Sequence, residues 1–175
     1  MITGAYAREM ARYNQWQNTQ LSGFLQALTP EELTRERGAF FGSILGTANH
    51  LLWGDWIWMS RFDKGPGPES NTRRPGGGIH ESVYLCPDLD SWLDLRKTVD
   101  TRISDWADRL DDAALSGSLT WYSGVKQADV TMPYAQCVIG FFNHQTHHRG
   151  QLHNMLTETG SQAPVSDLVF MPQEV

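Results

Sequence analysis

Cysteine is scarce in this chain of 175 residues: Cys86 and Cys137 are the only two, far apart and outside any Cys-x-x-Cys spacing. A disulfide framework or a knot of zinc thiolates is therefore excluded as the source of its stability. Long apolar runs are missing too. The most hydrophobic stretches are broken by His50, Asp55 or Asn143, well short of the ~20 residues that a bilayer-spanning helix needs. Basic residues are outnumbered, 14 against 20 acidic ones, for a formal charge of −6, and they are scattered, Arg73-Arg74 being an adjacent pair. Such a charge pattern does not suit a phosphate backbone, so no nucleic-acid partner is expected. No N-terminal leader pattern, internal repeat or low-complexity tract stands out, and the expectation is a soluble cytoplasmic protein with no membrane partner. At 40% hydrophobic, a single domain over residues 1–175 is large enough to bury a core without covalent staples.

What is present is helical periodicity. From Ala5 to Leu28 the residues Tyr6, Met10, Tyr13, Trp16, Leu21, Phe24 and Leu28 recur mostly at three- and four-residue steps, which predicts a long amphipathic helix. Thr29-Pro30-Glu31-Glu32 supplies an N-cap, a first-turn proline and two carboxylates, enough for one short turn before Gly38. Ser43 is placed to cap a second long helix running to about Phe62. That helix is apolar around most of its circumference, so its pattern does not say which way His50 faces. Gly46 and Gly54 lie one turn to either side of His50; they either leave room beside the imidazole or let two helices approach.

Residues 64–87 are rich in glycine and proline and read as a long surface connection inside one domain, with His80 a solvated loop histidine at its end. A third helix follows Pro87-Asp88, its stripe carrying Leu89, Trp92, Leu93, Arg96, Val99, Ile103, Trp106 and Leu110. Leu119–Tyr122 and Ala128–Thr131 flank Ser123-Gly124 and predict a hairpin. Pro133 then opens a fourth helix, Gly160 closes it, and the tail with Pro164 and Pro172 packs as an extended segment. The expected fold is all-α: a four-helix bundle with a long crossover between its second and third helices and a small hairpin before the fourth.

The fourth helix carries the run Asn143-His-Gln-Thr-His-His-Arg-Gly-Gln151. With about 100° per residue and His144 at zero, His148 falls near 40°, Cys137 near 20°, Phe141 near 60° and Met155 near 20°, so both histidines sit inside the apolar stripe. His147 lies roughly 60° to the other side and His153 points almost directly away. With His50 as a third imidazole, the set points to a divalent metal held by His50, His144 and His148. Neutral imidazole binds Zn²⁺ or Ni²⁺ foremost, with Fe²⁺, Cu²⁺ or Mn²⁺ also accommodated, and affinity should fall as pH drops below roughly 6.5. Three protein ligands leave a position at which water or a substrate atom is polarised. A zinc protease carries glutamate directly after its first histidine; here Gln145 stands there, so a proteolytic reading lacks its general base.

At Asn49-His50-Leu-Leu-Trp-Gly-Asp55 and at the run from Asn143 to Gln151 the chain resembles the DinB family, the DinB/YfiT-like metalloenzymes. The resemblance covers nearly the whole chain, including the long connection and the tail segment Pro164–Leu168. It implies a four-helix bundle, often dimeric, with the metal triad on His50, His144 and His148 and with His147 at a position not used as a ligand. Family members include thiol-dependent S-transferases and a thiol-dependent maleylpyruvate isomerase, so the resemblance also implies a low-molecular-weight thiol as a further cofactor.

Around the triad, Gln151, near 340°, faces the site and is placed to hydrogen-bond a ligating imidazole or a bound water. Cys137 reads as core, Arg149 as a surface or interface residue, and Trp53 and Trp56 as either pocket mouth or core filling. Phe142 and several tryptophans read as exposed, which together with the resemblance points to a homodimer. Two functions are consistent with these readings. One is a metal-dependent enzyme of thiol S-transferase or hydrolase type acting on a small-molecule substrate. The other is a noncatalytic metal- or ligand-binding bundle with a stress-related role.

Overall fold

The computed structural model describes residues 2–68 and 78–173. The middle of the glycine- and proline-rich connection, with the Arg73-Arg74 pair, lies outside the described residues. Helix α1 (Gly4–Gln26) begins where the Thr3 hydroxyl accepts the Tyr6 amide, a cap that satisfies one of the helix's free donors. A short α2 (Pro30–Thr34) is capped by Thr29 with proline in its first turn, as the sequence predicts. Ser43 caps α3 (Ile44–Phe62) and Asp88 caps α4 (Leu89–Arg109), each side-chain oxygen accepting an amide three residues on.

A brief α5 (Asp112–Leu115), not anticipated from periodicity because one turn has none, leads into an antiparallel hairpin. Its strands β1 (Ser118–Ser123) and β2 (Ala128–Pro133) pair with Thr120 opposite Thr131. The molecule is thus mostly helical with a two-stranded sheet, rather than purely α. Helix α6 (Tyr134–Glu158) starts directly after Pro133 and ends before Gly160, whose φ of 80° is a left-handed conformation natural to glycine.

The four long helices pack as α1 against α4, α3 against α6, and less extensively α3 against α4 and α1 against α6. Their shared core contains Leu25, Ile44, Leu51, Leu52, Trp92, Ile103, Phe141 and Leu156, all essentially sealed from solvent. Each large apolar side chain buried this way contributes about 1.5–3 kcal/mol. An exposed ion pair such as Arg12–Glu9 contributes about 0–1 kcal/mol, so burial sets the fold. Phe142 belongs to this core, 1% exposed, and no tryptophan is in the exposed class. The expectation of an exposed Phe142 is therefore corrected: it meets Tyr6 of α1 edge-on and Phe141 at a tilt, because α6 is covered on that side as well.

The tail is strapped along α1, as its prolines suggest. Tyr13 Oη donates to the Ser166 carbonyl, Gln17 Nε2 to that of Val165, and Arg12 to those of Pro172 and Gln173. Among the described residues, no helix is long and apolar enough to cross a membrane. Both cysteines are buried and unpaired.

Candidate metal centre

His50 comes from α3 and His144 and His148 from successive turns of α6, which packs extensively against α3. The ring centroids stand 4.6 Å apart for His50–His148, 5.3 Å for His50–His144 and 4.4 Å for His144–His148. One nitrogen from each ring lies within 4.8 Å of the other two. An ion bound about 2.0–2.1 Å from each nitrogen draws the three nitrogens closer together than that limit, so the rings must turn toward one another to hold it. No fourth His, Cys, Asp or Glu joins the group among the described residues.

The hydrogen bonds around the rings decide which nitrogens are free. Ser82 Oγ donates its one proton to the Ile79 carbonyl at 2.5 Å, so toward His50 Nδ1, 2.8 Å away, it can only accept. His50 therefore carries its proton on Nδ1 and a lone pair on Nε2. The Gln151 amide oxygen plays the same part for His148 Nδ1 at 2.8 Å, while its amide nitrogen donates to His147 Nε2. Gln151 thus hydrogen-bonds the His148 imidazole, one of the two partners expected for it. His144 Nδ1 is buried with no hydrogen-bond partner, an orphaned lone pair or proton of the kind that a bound cation satisfies or rearranges. On these grounds the donor set fits a divalent metal.

Ser82 reaches His50 because the 3₁₀ segment Glu81–Tyr84 is clamped onto α3. The clamp is Asn49, whose side-chain nitrogen donates to the carbonyls of Val83 and Cys86 and whose oxygen accepts the Cys86 amide. Phe41 lies flat on His50 with centroids 3.8 Å apart, and Trp53 stacks on it at 5.8 Å. His50 is left 4% exposed and His148 6%, while His144 is half-buried, so the approach from solvent is on the His144 side.

Burial lowers the basicity of all three rings, since it penalises the cation. For His50, burial with the neighbouring His148 and His144 rings pushes the pKa down to about 3. His148 falls to about 4 through burial, against the opposing effect of its bond to Gln151. His144 is lowered by burial, with Asp55 pulling the other way. His50 and His148 therefore stay neutral, the binding form, far below the pH of roughly 6.5 expected for a free imidazole.

Beneath the rings runs a buried polar chain through all four long helices. Asp55 accepts from Arg96 Nη1 at 2.7 Å and from Gln145 Nε2 at 2.9 Å; Arg96 also faces Asp100 at 2.8 Å. Asp100 accepts from Asn14 and Asn18, and Asn14 Oδ1 accepts from Arg149 Nη1 at 2.6 Å. Burial alone would pull the Arg96 guanidinium down, but Asp100 and Asp55 outweigh it and hold its pKa above the ordinary value. Asp55 is thereby committed elsewhere and is no ligand.

Several sequence readings change at this point. Arg149 is buried in the polar chain rather than lying on the surface. Gly54, not Gly46, makes room at the site, and for His144 rather than His50; a Cβ at residue 46 would collide with the Phe41 carbonyl. Cys137 is core near Arg61 and Tyr134, outside the histidine group. Trp56 bonds the Pro66 carbonyl, leaving Trp53 beside His50. His80 is exposed, stacked on Phe40, and His147 is exposed beside His148. Ser82, Asn49 and Phe41 were missed, and so was the polar chain, although Asp55 in an apolar helix and Arg96 in an apolar stripe were visible signals.

A family model described as the DinB family matches residues 1–174. No curated protein matches the chain. Among solved structures, a DinB-like protein from Bacillus cereus ATCC 10987 is similar at 18% identity and a TM-score of 0.62, covering 86% of this chain and 91% of that one, a likeness of fold.

Proposed function

The chain belongs to the DinB family, and from that premise we propose a metal-dependent enzyme on a four-helix bundle, of thiol S-transferase or hydrolase type, acting on a small molecule. His50, His144 and His148 hold the metal, Zn²⁺ or Ni²⁺ in preference to Fe²⁺ or Mn²⁺. One observation carries this reading: three nitrogens within reach of one another, two of the rings held at Nδ1 by Ser82 and Gln151, with no fourth protein ligand among the described residues. When bound, such an ion acts as a Lewis acid that lowers the pKa of a thiol or water at its open position. The chain's own residues orient the rings, keep them neutral and exclude water from the Phe41 and Trp53 sides. A low-molecular-weight thiol as co-substrate, a homodimer, a cytoplasmic location and a stress-related role belong to the same proposal and rest on family membership.

The test is metal content of protein purified without a histidine tag, beside His148→Ala. The expected result is near one equivalent in the parent and a large loss in the variant; equal content in both would end the triad reading. Thiol transfer onto an electrophile is then assayed with bacillithiol, mycothiol and glutathione in turn, and silence with all three removes the transferase form. The near-complete burial of His50 and His148 favours a second reading, a noncatalytic bundle whose ion is structural. It predicts that no exogenous ligand, azide for example, alters the spectrum of a Co²⁺-substituted site.

A further inference from the structure

On the far side of α6 from the triad, a cleft of about 300 Å³ opens between α1, α6 and the strapped tail. That volume is at the lower end for small-molecule sites. Its wall is apolar along Leu21, Leu152, Leu156 and Pro164, and Arg149 is the one Arg or Lys among its lining residues.

Arg149 is an unusual cation. It is 9% exposed, yet among the described residues it forms no ion pair, whereas the buried Arg96 meets two carboxylates directly. Its one hydrogen bond goes to the neutral Asn14 oxygen, its Nη2 has no partner, and its guanidinium lies 5.4 Å over the Tyr13 ring. A buried guanidinium with five donors and a single neutral acceptor is short of the counter-charge that its desolvation calls for. Of the other lining donors, Tyr13 and Gln17 bond tail carbonyls and Thr146 bonds the Phe142 carbonyl, while the half-buried His153 ring also lines the cleft. One unsatisfied cation above a greasy wall matches a monoanion with an apolar body better than a polyphosphate, which needs several donors.

We propose that this cleft is a second ligand site, separate from the histidines, for a small aliphatic or aromatic monocarboxylate whose carboxylate pairs with Arg149. The probe is hexanoate, with 1-hexanol as its uncharged counterpart, titrated calorimetrically into the full chain. Two variants locate the site. Arg149→Met removes the charge. Gly150→Leu fills the cleft from its wall, at a helical position where an added Cβ meets nothing within 4 Å, so it is expected to fold, as circular dichroism checks, even where Arg149→Met does not.

The expected result is saturable binding of hexanoate at one site, weaker by on the order of tenfold or more in both variants, absent for hexanol, and unchanged in His148→Ala. No saturable heat at millimolar hexanoate overturns the proposal, as does undiminished binding in Gly150→Leu. Loss of binding in His148→Ala also overturns it, by placing the carboxylate at the triad.

Discussion

The imidazole of His144 occupies the space in which a side chain at Gly54 would begin: a Cβ at residue 54 would stand 2.5 Å from His144 Cε1. The contact couples the backbone of α3 to a ring of α6, so any side chain at residue 54 must displace that ring from its place beside His50 and His148.

Gly54→Ala is therefore expected to separate folding from metal binding. Alanine is favoured over glycine in a helix interior by about 1 kcal/mol, so helicity by circular dichroism should hold. Metal content should fall by on the order of tenfold or more. Unchanged metal content would mean that His144 is not held where the geometry puts it.

Ser82→Ala frees the His50 ring to rotate or to carry its proton on the other nitrogen. Affinity in a chelator competition titration is expected to drop by about 10–100-fold, with stability little altered. Gln151→Leu should act alike through His148. If neither variant changes affinity, the orientation of the rings is set by packing on Phe41 alone.

Arg96→Met would leave Asp55 and Asp100 buried without their common counter-charge. Removing one member of a buried ionic group costs about 3–5 kcal/mol, and urea denaturation should report a loss of that order. A loss below about 1 kcal/mol would show that the chain of polar contacts is dispensable to the fold.

Stability should fall in acid. His50 and His148 take up protons in the unfolded chain near 6.5 but resist them when folded down to about 3 and about 4. The unfolded state thus binds more protons throughout that interval, and stability rises with pH until it levels above about 6.5. Urea midpoints of metal-free protein measured across this range should slope accordingly, and His148→Gln should flatten the slope. An unchanged slope in that variant would mean that the burial of His148 is not what acid works against.

Much of this was legible in the sequence because helices repeat. The spacing of His144 and His148 places them on one face wherever α6 packs, and the caps at Ser43 and Pro133 mark helix starts locally. Tertiary choices were less accessible. Phe142 and Arg149 read as outward from α6 alone, and only the packing of α1 on that side buries them. Ser82 lies in a connection with no periodicity, so nothing local tied it to His50; the tie runs through Asn49, a polar residue on a mostly apolar helix.

Two of the three imidazoles ride on the last long helix, and the third waits on the second of the four. During synthesis a nascent chain that has emerged only as far as the hairpin owns a single ring, too little to retain an ion against the chelators of a cell. On the proposed triad, capture waits until α6 has docked on α3, so occupancy by metal would serve as a certificate that these two helices have met.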